Sequence, residues 1–402
     1  MSRIEMSTRG RLHSFQGRLD SAVTAVRESA IREAVVLHHD EADGLTSAAL
    51  TKLALSNLGL ETRLICLDKL YPEVVRDIES GRPQVAAYID LGSGHVDWLI
   101  EANSSKGLVL VLDHHDTTSI QNPLLYNLNP ELYGFSGEKD ASSATVAYLF
   151  CKTVDPELSY YAHLATIGSL EIPGETQGLN LIAVSDAKAR GLVLDSGKGD
   201  LKIQARGMNL SRTRASSLLN VLGSVGYYRN GPEMGIEACT TGFTDQTMAM
   251  AKEFEEERKQ ANRKMLATIR KDGLSQKKNI QWFHAHDNYK GMGGKVVGSF
   301  CSYLRYQRGI SPIKYLIGMM NVPADIPGWG KLPSSMVKVS GRAPQILTSL
   351  IEKGKKPSLS KILPESCSRV GGFGDGHSVA ASGVFPVGKE EMFVDEIDRL
   401  AA

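Results

Sequence analysis

Leu108-Val-Leu-Val-Leu-Asp-His-His115 decides how the chain is read. A run of aliphatic residues with no polar interruption is the pattern of a strand buried on both faces, and a carboxylate with two imidazoles stands where that strand must end. Outward from it lie three more such runs, Ala34-Val-Val-Leu37, Thr62-Arg-Leu-Ile-Cys-Leu67 and Val85-Ala-Ala-Tyr-Ile89. Between the first two, residues 46–58 carry a helical pattern that Gly59 stops. Short apolar strands alternating with helices predict an α/β fold with a doubly wound parallel sheet. Polar clusters follow the strands: His38, His39, Asp40, Glu41 and Asp43 after the first, Asp90 after the third, and Asp113, His114 and His115 after the fourth. The carboxyl ends of parallel strands share one edge, where ligands bind, so the three clusters are expected to converge.

The length of 402 residues suggests two domains. Apolar residues at 42% and charged residues at 23% exclude general disorder and low-complexity classes. With 46 Lys and Arg against 45 Asp and Glu, any grip on nucleic acid must come from local patches. Cys66, Cys151, Cys239, Cys301 and Cys367 are scattered, with no C-x-x-C pair, which reads as reduced and intracellular. The polar, Arg-bearing segment 1–18 does not resemble a signal peptide, and no run approaches the ~20 apolar residues of a membrane span. A cytoplasmic protein without membrane contact is expected.

Residues 1–243 are expected to form the first domain, with 140–240 mostly helical, including helices over 142–152, 157–170 and 180–191. A long helix over 244–273, capped by Thr244 and stopped by Gly273, is the expected connector. Residues 274–402 then form a smaller α/β domain, with a helix entered from Gly291, strands over 313–320 and 336–340, and a glycine-dense stretch, 371–383. Basic residues gather from Arg258 to Lys278, where a strand of nucleic acid could be tracked or the face simply solvated.

His39-x-Glu41-x-Asp43-Gly44, Asp90 and Asp113-His114-His115 supply carboxylate and imidazole donors suited to two divalent cations such as Mn, Mg, Zn or Fe. Without cations, so many carboxylates at one sheet edge would repel one another strongly. In the glycine-dense stretch, Gly371, Gly372, Gly374 and Gly376 allow close backbone approach to a phosphate, and His377 adds a donor.

These motifs resemble those of the DHH phosphoesterase superfamily, and within it the archaeal RecJ-like exonuclease or GINS-associated nuclease branch. Asp113-His114-His115 is similar to the motif that names the family, His39 to Gly44 to its first motif and Tyr88-Ile-Asp90 to its second. Arg342 in Val339-Ser-Gly-Arg-Ala343 and the segment from Gly371 through His377 to Gly383 resemble phosphate-contacting motifs of the DHH-associated C-terminal domain. The resemblance implies an active site in the cleft between the two domains. It implies one metal on His39, Glu41 and Asp90 and another on Asp43, Asp90 and His114, with Asp90 bridging. It implies that His115 contacts the scissile phosphate, that Asp113 orients the histidines, and that Arg342, Gly372, Gly374, Gly376 and His377 bind phosphate. The cations would be two Mn2+, or Mg2+ in their place. The implied activity is a single-strand-specific exonuclease on DNA or RNA in replication or repair, with GINS as a partner. The alternatives are a weakly active or inactive GINS-binding scaffold and a hydrolase of pAp or very short oligonucleotides. Two positions depart from the family pattern. Glu41 stands where Asp is usual, and in Ala165-Thr-Ile-Gly-Ser-Leu-Glu-Ile-Pro-Gly-Glu175 the fourth-motif Asp position is Ile172, with Glu171 one residue before it and Glu175 three beyond.

Overall fold

The computed structural model describes residues 8–197 and 199–402, so the first seven residues of the polar segment 1–18 lie outside the described part. Helix α1 (Thr8–Glu28) leads into the parallel sheet expected from the apolar runs. Its order of elements is β1 (Glu33–His39), α2 (Ala42–Asn57), β2 (Glu61–Leu67), α3 (Pro72–Ser80), β3 (Val85–Ile89), α4 (Val96–Ala102), β4 (Leu108–Leu112) and β5 (Leu125–Asn127). The strands lie in the order β2-β1-β3-β4-β5, all parallel. Alternation of side chains divides β1, β3 and β4 between two buried faces, while the first half of β2 stays partly exposed. Ala34 and Val36 of β1, Ala87 and Ile89 of β3, and Leu108, Leu110 and Leu112 of β4 join a core with α1 and α2. Val35, Leu37, Val109 and Val111 are equally buried on the other face. There Tyr88 donates its hydroxyl to Glu79 of α3 at 2.7 Å.

The chain continues through α5 (Ser143–Val154), α6 (Ala162–Gly168) and α7 (Gly178–Ala189). Next come β6 (Val193–Asp195), β7 (Leu201–Ala205), β8 (Met208–Ser211), α8 (Arg212–Asn220) and α9 (Gly231–Thr241). Two expectations are corrected here. The helix expected over 157–170 is split, with a tight helical turn at Pro156–Tyr161 before α6 and another at Ser169–Glu171 after it. The stretch expected to be mostly helical also contains an antiparallel sheet in the order β6-β7-β8. These strands have only three to five residues, too few to set up a recognisable period.

Helix α10 (Asp245–Asp272) starts where Thr244 accepts a hydrogen bond from the Thr247 amide at 3.1 Å and ends before Gly273 at φ +78°. Two compact units divide the chain, the first reaching Gly223 and adding Asn230–Ala251 and Pro327–Trp329. The second comprises Ser224–Arg229, Lys252–Ile326 and Gly330–Ala402, so α10 is shared between them.

The second unit contains β9 (Ser275–Gln276), β10 (Ile280–His284), α11 (Lys295–Leu304), β11 (Tyr315–Val322), β12 (Asp325–Ile326), β13 (Gly330–Lys331) and β14 (Met336–Arg342). It ends with α12 (Gln345–Glu352), α13 (Leu359–Arg369), β15 (Phe373–His377), β16 (Ala380–Pro386) and α14 (Glu390–Leu400). Its six-stranded sheet runs β15-β16-β14-β11-β10-β9, with only β10 and β11 parallel. Leu347, Ile362 and Phe393 from the last three helices cover one face. On the other, α11 approaches so closely that a Cβ at Gly318 would fall 2.4 Å from the Cys301 sulfur.

Candidate metal centre

The order β2-β1-β3-β4-β5 reverses direction at β1, so the crevice at the carboxyl ends of β1 and β3 is where such a sheet binds its ligand. The end of β1 carries His39 and the end of β3 leads into Asp90; their side chains approach with His39 Nδ1 3.6 Å from Asp90 Oδ2. Asp90 has a left-handed backbone, φ +60°, uncommon for a residue other than glycine, and its amide donates to Leu112 O at 3.0 Å across to β4. The turn aims the carboxylate back over the sheet edge.

Asp43 arrives from the first turn of α2. Its two oxygens accept the Ser143 and Ala144 amides at 2.9 and 2.8 Å, so it lies at the amino end of α5, where the helix dipole favours negative charge. Ser143 also donates its hydroxyl to Asp90 Oδ1 at 2.8 Å. Ligand atoms of Asp43, Asp90 and Glu171 all lie within 4.8 Å of one another. Glu171 is therefore the acidic residue after α6 that reaches the site, whereas Glu175 lines a neighbouring 240 Å³ pocket with Asn180 and Arg212. The approach of α6 requires Gly168, since a Cβ there would fall 2.6 Å from Asp43 Oδ1.

From β4 comes the Asp-His-His triplet. Asp113 accepts the Ser93 amide at 3.0 Å, the His114 amide at 2.7 Å and His115 Nδ1 at 2.6 Å. His114 Nδ1 lies 2.7 Å from Gly137 O, a geometry that places the proton on Nδ1 and turns Nε2 toward the carboxylates, 3.7 Å from Asp90 and 3.9 Å from Asp43. Asp90, His114 and His115 form a second group with ligand atoms within 4.8 Å, so Asp90 is common to both groups. Glu41 lies at the rim, its carboxylate 3.9 Å from His39 Nδ1, while the buried Asp40 approaches the other ring nitrogen at 3.5 Å.

Electrostatics set the character of the site. Burial, reinforced by Asp43 and Glu171, pushes the Asp90 carboxyl well above the usual carboxylate range. Burial also lifts Asp43 to about 6 against the amide hydrogen bonds that favour its anion. Burial alone would lower His115, but the charge and hydrogen bond of Asp113 prevail and raise it to about 10. Asp113 is held below the usual range, the charge and hydrogen bond of His115 outweighing its burial. Each pair of carboxylates this close repels by roughly 3 kcal/mol at an effective dielectric of 20, and a divalent cation turns that repulsion into attraction. The donor set fits hard or borderline divalent ions.

Residues 33–175 match the model of the DHH family, N-terminal domain. The matched segment holds the whole parallel sheet and the Asp113-His114-His115 triplet. Its curated relatives include an uncharacterized protein of Methanocaldococcus jannaschii, 28% identical over 166 residues, which are 38% of this chain and 36% of that protein. Among solved structures, RecJ of Thermus thermophilus in complex with Mn2+ superposes with a TM-score of 0.63 at 18% identity, covering 96% of this chain and 54% of that one. The exonuclease RecJ bound to manganese gives 0.57 at 18% identity, covering 95% and 94%. The chain thus has the RecJ fold but spans about half the length of the Thermus protein and about a third of the curated relative.

Several residues that position the DHH site were not singled out by sequence. Ser143 donates its amide to Asp43 and its hydroxyl to Asp90, Gly137 O meets His114 Nδ1, the Ser93 amide donates to Asp113, and Asn129 donates to both Ser93 Oγ and His115 O. Asn220 accepts the Ala42 amide at 2.6 Å, fixing the start of α2 between Glu41 and Asp43. Of these only Ser143, the first residue of α5, carries a local signal, as part of a helix start.

The expected phosphate-contacting residues lie in the second unit. Arg342 pairs with Ala380 of β16, and Ala380 with His377 of β15, so the arginine and the exposed histidine end one row across three strands. The glycine-dense stretch forms an antiparallel hairpin of β15 and β16. Its glycines answer to strand packing, since a Cβ at Gly372 would fall 2.0 Å from Val384 O and one at Gly376 2.4 Å from the Ala381 Cα. Gly374 pairs with Gly383 in the same ladder.

Proposed function

We propose that this protein is a metal-dependent, single-strand-specific exonuclease that hydrolyses phosphodiesters in DNA or RNA during replication or repair. The observation that carries the reading is the convergence of Asp43, Asp90, Glu171, His114 and His115 from separate elements on one sheet edge, in a chain with a DHH domain and the RecJ fold. Two divalent cations, Mn2+ first and Mg2+ second, would be held by His39, Glu41, Asp43, Asp90, His114 and Glu171, with Asp90 shared. When bound, they supply Lewis-acid polarisation of the scissile phosphate and a nucleophilic water at neutral pH. The chain's own contribution is positional. Asp113 holds His115 as an imidazolium beside the reacting phosphate, and Gly137 O holds the His114 ring. Arg342 and His377 contact the strand's phosphates, the first through its guanidinium fork. Five free, buried cysteines agree with a cytoplasmic setting, and no helix among the described residues is long and apolar enough to cross a membrane.

End-labelled single strands, from dinucleotides to long oligonucleotides, incubated with Mn2+ or Mg2+ provide the test. Stepwise release of mononucleotides from long strands, lost in Asp90→Ala and His114→Ala, is expected. Activity that collapses with length would instead indicate a short-oligonucleotide or pAp hydrolase. No release with either metal, together with a stable complex with GINS, would indicate a scaffold. The reach of Glu171 into the site favours the enzyme, because it provides the carboxylate that the fourth motif lacks at Ile172.

A further inference from the structure

Between Asp287 and Asp325 the sequence has no acidic residue but carries Lys290, Lys295, Arg305, Arg308 and Lys314. This stretch holds α11, whose Val297, Phe300, Cys301 and Leu304 are buried. The opposite positions follow the helical repeat outward. Ser299, Tyr303 and, just past the helix, Tyr306 are exposed, the two tyrosines at 49% and 67%. Two exposed aromatic rings thus lie three residues apart in a stretch of chain whose charged side chains are all basic. The Arg305 guanidinium lies over the Tyr306 ring, 4.7 Å from its centroid, and donates to its hydroxyl at 2.6 Å. On the same helix Ser302 accepts from Arg342 Nε at 2.9 Å, so the arginine expected to contact phosphate borders this face.

We propose that the outer face of α11 is a base-stacking ledge for single-stranded nucleic acid, with Tyr303 and Tyr306 taking bases while Arg305 and Arg308 neutralise the phosphates between them. The choice of ligand rests on the exonuclease reading; the aromatic and cationic chemistry fits a polyanion with exposed π-faces. Double-stranded nucleic acid would offer no free base to either ring, so the ledge gives a reason for single-strand preference that the metal centre alone does not.

Anisotropy titrations of the full chain in EDTA, with labelled oligothymidylate and oligouridylate, test the ledge separately from catalysis. Tyr303→Ala and Tyr306→Ala are each expected to weaken binding by about tenfold, with the Phe variants within about twofold of wild type. The slope of log affinity against log salt should be unchanged in the tyrosine variants but shallower by about 0.7 in Arg308→Ala. Alanine variants that bind as tightly as wild type, or a loss that Phe does not restore, overturn the ledge. If those variants also leave strand cleavage intact, the exonuclease reading survives without it. Tyrosine-dependent binding in a chain that cleaves nothing with either metal would keep the ledge and remove the exonuclease. Wild-type protein that binds no single strand overturns the ledge and marks the tyrosines as a contact for another protein.

Discussion

Asp90 concentrates the energetic tension of the site, with a left-handed backbone, a buried carboxylate and two further acids within 4.8 Å. Asp90→Asn removes one of the repelling charges while keeping the Ser143 hydrogen bond. The variant is expected to melt higher than wild type in EDTA and to lack the stabilisation by Mn2+ that the proposed function predicts for wild type, as differential scanning calorimetry would read. A lower melting point in EDTA would contradict the repulsion. On the far face of the same strand, burial raises the Glu79 carboxyl from 4.5 to about 7 although Tyr88 donates to it. Between those two values the folded protein binds more protons than the unfolded chain, so this group's contribution to stability is whole below about pH 4.5 and is lost as pH rises through 7. Glu79→Gln should match wild type near pH 4 and exceed it by roughly 3 kcal/mol at pH 8 in urea titrations.

Among the elements, α2 and α5 carry the most consequence, because their amino ends place Asp43. The Asn220 side chain accepts the first free amide of α2 from a distant part of the chain. Asn220→Ala is expected to cost about 1 kcal/mol of stability in chemical denaturation. The hydrolytic activity proposed for the chain should fall further than unfolding explains, because Glu41 and Asp43 flank the freed amide. Equal losses would reduce Asn220 to a cap. The legibility of the elements follows their physics. Strands β1, β3 and β4 could be read from the sequence almost to the residue, since burial on both faces demands unbroken apolar runs, and β2 from its buried second half. Strands β6 to β8 could not, being short and only partly buried, and the β15-β16 hairpin was hidden because glycine there serves close strand packing as well as any loop.

For the whole molecule, the proposed function links metal and fold: ions held only by the assembled site would stabilise the native state by mass action. Mn2+ at about one hundred times its dissociation constant should add about 2.7 kcal/mol to wild-type stability, and the increment should vanish in Asp90→Asn and shrink in Glu171→Gln. An increment unchanged in Glu171→Gln would remove that residue from the metal set. The sequence by itself determined the parallel sheet, the buried strands and the three polar clusters at their ends, because strand burial and the common polarity of parallel strands are local and periodic properties. The tertiary structure alone decided that Glu171 and not Glu175 meets Asp43 and Asp90, that Gly137 orients His114, and that Asn220 fixes the start of α2. Those choices depend on side chains from remote segments meeting within a few ångströms, and no periodicity along the chain encodes such a distance.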